Sequence, residues 1–288
     1  MRGTLFVVFA SLACAVAPWA RAQDDGAQVK NTMKAAFAAA EAGDDAALRR
    51  ALHRRCAFWD RATETAIGKD NSSAVRTALV PPKGYTAGDY EPQVEGDIAI
   101  VSAPFEPPAK SANAPAMTFD GVLVREAGRW QIVLGAWTLP DAQEPVWPGE
   151  VTTVPPDGEP ARMRQAFRAF ALRVISLLTG ADRGFFAEAA ALNGAYVEAS
   201  GFSGRPRVAT IQERENALDE GPEAKYALAR IPVVRVAVGA GEVVGGVTLT
   251  KTVNEGQPAP IREMLFIGYS PKDGKWRAFG VAAIPLHQ

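Results

Sequence analysis

The apolar positions of this chain change period several times, and each change marks an element. Val29, Met33, Phe37 and Ala40 recur at helical spacing. Gly43 breaks that helix, and Asp44 is placed to cap a second one carrying Leu48 and Leu52. Phe58-Trp59 reads as a short strand, and Ser72 can cap a short helix through Leu79. From Gln93 the period falls to two. Val94 and Ile98 to Val101 flank a Gly96-Asp97 turn, and Met117 to Val124 and Trp130 to Thr138 join at Ala127-Gly128. Residues 141–159 crowd Pro, Gly and acid without period, which predicts a linker. Trp147 is odd for a solvated tether, so this linker is expected to pack on a domain.

The same order then returns. Met163, Phe167, Phe170 and Val174 mark a helix, Asp182 can cap Phe185 to Leu192, and Ala195-Tyr196-Val197 is the short strand. Thr210-Ile211-Gln212-Glu213 is a capping box. Val233 to Val238 and Val243 to Leu249 flank a Gly-Ala-Gly turn; Met264 to Tyr269 and Trp276 to Ile284 join at Asp273-Gly274. The offsets between halves agree: Phe58 with Tyr196, Asp97 with Glu242, Trp130 with Trp276. The pattern predicts a duplicated α+β unit, with a first domain at 23–140 and a second, more divergent one at 160–288.

Residues 1–22 look like an address. Arg2, an apolar run from Leu5 to Val16, Pro18 and Ala20-Arg21-Ala22 fit a secretory signal peptide cut before Gln23. Removing it takes away two arginines and no acid, leaving 29 basic against 32 acidic residues. The Ala-rich, Arg-over-Lys composition points to a bacterium, and hence to periplasm or secretion. No second apolar run has membrane length. A near-neutral chain of 288 residues has no field for general polyanion binding, so nucleic acid is not an expected partner. One cysteine, Cys56, survives the cut, so a core and not a disulfide must hold the fold.

Ala42-Gly43-Asp44 with Leu48 and Leu52, Ala57-Phe58-Trp59, Glu95 to Val101 and Gly128 to Val133 together resemble the nuclear transport factor two-like fold. This is the cone shared with ketosteroid isomerase, scytalone dehydratase and polyketide cyclases. The resemblance covers residues 26–140 well and 160–286 more loosely. It implies two cone-like domains, each with N-terminal helices packed on a curved antiparallel sheet. It implies no particular reaction, because this fold hosts enzymes, ligand binders and interaction modules.

The candidate chemistry is sparse. Only His53 and His287 exist. His53 is expected on a solvated face of the second helix, among Arg49, Arg50, Arg54 and Arg55, which leaves histidine triads and metal sites without support. No metal and no cofactor is expected. Gly239 to Gly245 misses the dinucleotide fingerprint at Val244, and Gly201 to Arg205 misses a nucleophile elbow at Arg205. An isomerase-like mechanism needs a carboxylate in an apolar cavity with a donor beside it. In the first domain Asp60 is the best-placed acid, with Tyr85 and Tyr90 as donors, while Asp97 and Asp120 are expected in turns. In the second, Glu198 follows Tyr196-Val197, with Glu213 and Tyr226 as companions. Trp59, Tyr90, Trp130, Trp137 and Tyr196 are the candidate cone-lining, ligand-binding residues.

The last strands add one expectation. Simple alternation sends Trp130, Ile132, Leu134 and Ala136 to one face and Val133, Gly135 and Trp137 to the other. It likewise sets Trp276 and Ala278 against Phe279 and Val281. Both faces are apolar, so each sheet needs a second cover. The two halves are expected to pack sheet to sheet as an internal pseudo-dimer. The leading functional expectation is an exported, non-catalytic module for a small apolar ligand or an envelope protein. The alternatives are a cofactor-free isomerase, dehydratase or cyclase, and an assembly protein with no pocket.

Overall fold

The computed structural model describes residues 5–109, 114, 116–138, 144–145, 190–199, 206–217, 224–228, 233–234, 237–238, 242–253, 259–270, 272 and 274–285. The first helix, α1 (Leu5–Ala42), buries Val29, Met33, Ala36, Phe37 and Ala40 along one stripe. Gly43 leaves it at φ +69°, a left-handed turn that suits glycine. Asp44 then caps α2 (Asp45–Ala51), its Oδ1 accepting from the Ala47 N–H at 2.8 Å. Helix α3 (Ser72–Leu79) is capped by Asn71, not by Ser72. The Ser72 hydroxyl ties α3 to α2 instead, accepting from Arg49 at 3.2 Å and donating to Asp45 at 3.1 Å. No helix among the described residues is long and apolar enough to cross a membrane.

Strand β1 (Leu52–Asp60) starts earlier than the aromatic pair suggested. It takes Leu52 and His53 out of the predicted helix, and His53 is 2% exposed, not solvated. The physical reason is the ladder: Leu52 pairs in parallel with Ile132, and a parallel ladder outweighs local helix propensity. The remaining strands are β2 (Thr65–Ile67), β3 (Thr86–Ala87), β4 (Glu91–Glu95), β5 (Ile98–Glu106), β6 (Met117–Glu126) and β7 (Arg129–Thr138). They order as β2-β1-β7-β6-β5-β3, with β4 also on β5. Asp120 lies in the middle of β6 and not in a turn.

A second sheet repeats that order. Its strands are β9 (Ala190–Ala199), β10 (Pro206–Thr210), β11 (Ala224–Leu228), β13 (Ala237–Val238), β14 (Glu242–Val253), β15 (Ala259–Ser270) and β16 (Lys275–Pro285). They order as β10-β9-β16-β15-β14-β11, with β13 on β14. Residues 190–192, read above as the end of a helix, are the start of β9, where Ala190 pairs with Ala278. Helix α4 (Ile211–Ala217) follows the capping box, in which Thr210 and Glu213 exchange bonds of 2.8 and 3.0 Å. From the linker stretch, β8 (Glu144–Pro145) pairs with β12 (Val233–Val234). Trp147, the Met163 to Val174 helix, the Asp182 cap, residues 201–205 and 239–241, Asp273 and His287 lie outside the described residues.

The two sheets match down to their irregularities. In the β6–β7 hairpin the register shifts between Val122 and Leu123; in β15–β16 it shifts between Phe266 and Ile267, the same distance from the turn. The parallel pairs shift likewise, between Leu52 and Ala57 and between Ala278 and Gly280. These bulges correct the expected faces. One extra residue, Val133, reverses the alternation. Trp130, Ile132 and Trp137 therefore belong to the core under α1, whereas Val133, Leu134 and Ala136 face the other way. In β16 the bulge puts Phe279, Ala282 and Ile284 together on that second face. The shared register also makes Ile98, not Asp97, the counterpart of Glu242, since Ile98 pairs with Val124 and Glu242 with Gly268.

Those second faces meet. Ala57, Trp59, Val122, Val133, Leu134 and Ala136 form one buried cluster with Ala195, Val197, Phe266, Phe279, Ala282 and Ile284. Glycines let the sheets approach: a Cβ on Gly268 would collide with the Trp59 ring, and one on Gly280 with Leu134. Polar bonds rim the contact. Arg55 reaches Val208 O at 2.8 Å and Glu213 at 2.6 Å, Asn193 donates to Ala66 O, and Glu64 accepts from Ser270 and the Lys272 N–H.

Candidate functional site

The inside of the first cone is a packed aromatic cluster. Phe37 of α1 sits 5.1 Å from Phe119, 5.4 Å from Phe105, 5.9 Å from Trp137 and 6.2 Å from Tyr90, mostly edge to face. Trp137 closes the set at 4.9 Å from Phe105 and 5.2 Å from Phe119, and its Nε1 donates to Ala78 O at 3.0 Å. Gly135 is glycine because a Cβ there would strike the Phe119 ring. Tyr90 is buried in this cluster, and burial raises its phenol to about 12, so it stays neutral. Cys56 belongs to the same core, and burial raises its thiol to about 12 as well, which makes it an inert packing residue.

The predicted residues scatter when placed. Tyr90, Trp130 and Trp137 line the first core; Tyr85 packs on its edge. Trp59 lies between the sheets, 5.9 Å from Phe279, and is no cone residue. Asp60 ends β1 and closes the next turn, accepting from the Ala62 N–H at 3.0 Å and Thr63 Oγ1 at 2.6 Å. Asp120 accepts from Ser102 at 2.6 Å and Thr138 at 2.8 Å across three strands. Asp97 is in its turn, where Arg125 donates to it at 2.6 Å; the same guanidinium meets Asp25 and lies 5.2 Å over Trp130. This cluster pins α1 to the sheet at Asp25. Buried His53 accepts from the Arg55 N–H at Nδ1 and stands 3.3 Å from Glu126 at Nε2. Desolvation lowers its pKa despite Glu126, which keeps it neutral and structural. Glu213 caps α4, and its carboxyl is held low by the Thr210 backbone N–H. The Tyr226 side chain lies outside what is described.

The second cone differs at the row where the first is sealed. Phe119 pairs with Trp137; by the shared register the matching pair is Glu263 and Ala283. The next row, Gly121 with Gly135, becomes Leu265 with Val281. A carboxylate and a methyl thus replace two rings, and two apolar side chains fill what had been ring room. Glu263 is 2% exposed. Glu198 joins the same row, because Ala283 pairs with it on the other side, and Tyr196 pairs with Val281 beside Leu265. Tyr196 is buried, with the Arg214 guanidinium 5.2 Å from its ring. Glu263 was missed in the sequence because Ile-Arg-Glu-Met-Leu reads as an ordinary alternating strand. The signal that could have found it is the duplication, since aligning the hairpins from their turns sets Glu263 against Phe119.

The seam between the sheets carries a third buried acid. Glu242 accepts from Arg61 Nε at 3.0 Å, and a backbone bond from Trp137 also supports its charged form. Burial outweighs both and pushes its carboxyl up to about 7. Elsewhere on the seam Gln93, Glu95, Ile98, Ile100, Arg262 and Ile284 line a crevice of about 90 Å³. A few waters fill that volume; a drug-sized ligand needs roughly 300 Å³ or more. Among the described residues no three His, Cys, Asp or Glu side chains gather as metal ligands.

Structures of NTF2-like proteins match this chain. One of unknown function from Shewanella baltica is 13% identical, covers 46% of this chain and 100% of its own, and has a TM-score of 0.34. One from Cytophaga hutchinsonii is 17% identical over 38% of this chain and 94% of its own, with TM-score 0.31. One with a cystatin-like fold from Novosphingobium aromaticivorans is 16% identical over 52% of this chain and 94% of its own, with TM-score 0.36. No family model and no curated protein matches the chain.

Proposed function

We propose that this chain is an exported, non-catalytic binding protein, built as an internal pair in which the first half is scaffold and the second takes a small apolar ligand. One observation carries the reading. The row that Phe119 and Trp137 seal in the first cone holds Glu263 and Ala283 in the second. A filled aromatic cluster has no room for a guest, whereas ligand sites are largely apolar with a few placed polar groups. Leu265, Val281 and Tyr196 supply the apolar part, and Glu263 the polar one. Native mass spectrometry of residues 23–288 tests it. The expected result is a co-purifying small molecule that is lost in a folded Ala283→Trp variant. A bound mass that survives Ala283→Trp sinks the assignment to the second half.

A second reading, a cofactor-free isomerase or cyclase, is favoured by the same Glu263. A carboxylate in an apolar cone suits a general base better than Asp60, whose oxygens are held in a turn. Turnover of the molecule found above, abolished by Glu263→Gln while binding persists, would select this reading over simple binding.

A further inference from the structure

We infer that the seam between the sheets carries a code for its partner. Trp59, Leu134 and Arg61 on the first half, with Gly268, Gly280 and Glu242 on the second, let each half pair with the other half and not with its own kind in a second copy of the chain.

The seam has the form of a two-fold pair. Residues 55 and 193 are equivalent by register, and so are 66 and 208. Arg55 donates to Val208 O, and Asn193 donates to Ala66 O, so one contact is made twice, once from each side. Reciprocal contact of this kind is how a surface binds a copy of itself. Each half therefore has a geometric alternative, the same half of another chain.

Three places on the seam refuse that alternative. Leu134 and Gly280 are equivalents, since Val122 pairs with the one and Phe266 with the other, and they meet each other across the seam. Two first halves would bring leucine against leucine, where even one Cβ added to Gly280 collides. Two second halves would set glycine against glycine and leave a hole. Trp59 and Gly268 repeat the arrangement. Their equivalents are Val197 and Val124, both buried in the same seam. Two first halves would press Trp59 on Val124, where the ring now has a glycine; two second halves would set Val197 on Gly268 and leave space. The third place is charged. Arg61 Nε donates to buried Glu242 at 3.0 Å, and the equivalents of this pair are Ala199 and Ile98. Two second halves would bury two Glu242 side chains without their cation, and two first halves would lay Arg61 on isoleucine. Clash, void and unpaired charge against the wrong partner turn affinity into specificity.

Thermal unfolding of the full chain tests this, because single substitutions rebuild each wrong contact inside one molecule. Gly280→Leu gives the leucine pair of two first halves, and Leu134→Gly the glycine pair of two second halves. Each is expected to lower the Tm by at least about 5 °C, the size of shift that overpacking or a core void produces in a chain of this length. Combined, the two substitutions exchange knob and hole, and the double variant is expected to recover at least half of the summed loss. A single variant that fails to fold and is rescued by the exchange counts as full recovery. If both single variants unfold within about 2 °C of the wild type, a like pair fits as well as the unlike one, and the code is overturned. If the exchange recovers less than half, the losses belong to each position alone, and it is overturned as well. Where neither the single variants nor the exchange folds, Arg61→Glu, alone and together with Glu242→Arg, decides by the same recovery.

Discussion

The two halves share a strand order and two register shifts, yet the row that holds two aromatic rings in one holds a carboxylate and a methyl in the other. Phe37, Tyr90, Phe105, Phe119 and Trp137 make the first cone a core like any other. Its counterpart row carries Glu263 and Ala283. Within one chain, then, the same strand register accommodates both an aromatic row and a row of carboxylate and methyl, so backbone geometry does not fix what fills a cone.

That contrast can be broken or sharpened by experiment. The largest effect is expected from Trp137→Ala, which empties the plug and loses the bond to Ala78. Destabilisation by roughly 3–5 kcal/mol should appear as a lower urea midpoint. An equally stable variant would mean that the first cone is not a core.

The next effect follows pH. Glu242 stands where the first half has Ile98, and its carboxyl is pushed up to about 7 from an ordinary 4.5. Between those values the folded state holds a proton that the unfolded chain has released. Stability is therefore highest at the acid end of this window and falls as pH rises through it, by up to roughly 3 kcal/mol at 1.4 kcal/mol per unit. Glu242→Gln should flatten the unfolding free energy between pH 5 and pH 8. A slope that is unchanged in the variant would assign it to other groups.

A smaller loss, about 1–3 kcal/mol from overpacking, is expected for Gly280→Ala, because the new methyl meets Leu134 across the seam. Leu134→Ala should restore part of it, and a double-mutant cycle with no coupling would refute that contact. The smallest effect belongs to Arg55→Ala. Its ion pair with Glu213 has side chains 35% and 46% exposed, so less than about 1 kcal/mol is expected from that pair. A loss of several would show that the bond to Val208 O matters more than the charge.

Much of the architecture was legible in the sequence, for identifiable reasons. Helix spacing at Val29 to Ala40, the Gly43 stop, the Asp44 cap, the turns at Gly96, Gly128 and Gly274 and the Thr210 capping box are local signals. Each sits where it was read. What failed was non-local. His53 looked helical beside four arginines because a parallel partner 80 residues away cannot be seen from there. Leu134 and Trp137 were assigned to the wrong faces because a bulge leaves no mark in composition. Trp59 looked like a cone residue until the second sheet took it as a neighbour. Glu263 was hidden in plain alternation, and only the spatial register of two hairpins sets it opposite a phenylalanine.

The parallel pairing of first and last strands has a consequence for the order of folding. In each half the ladder joins Leu52 to Ile132 and Ala190 to Ala278, so neither sheet closes until its final strand has been made. Contacts of such long separation form slowly. The first half can close once residue 138 is available, but its outer face of Trp59, Val122, Val133 and Leu134 then waits for β16, at 275–285. For the whole interval of synthesis between those points, an apolar sheet face stands open to other chains. Truncation anywhere before β16 should therefore give aggregation, not a soluble first half.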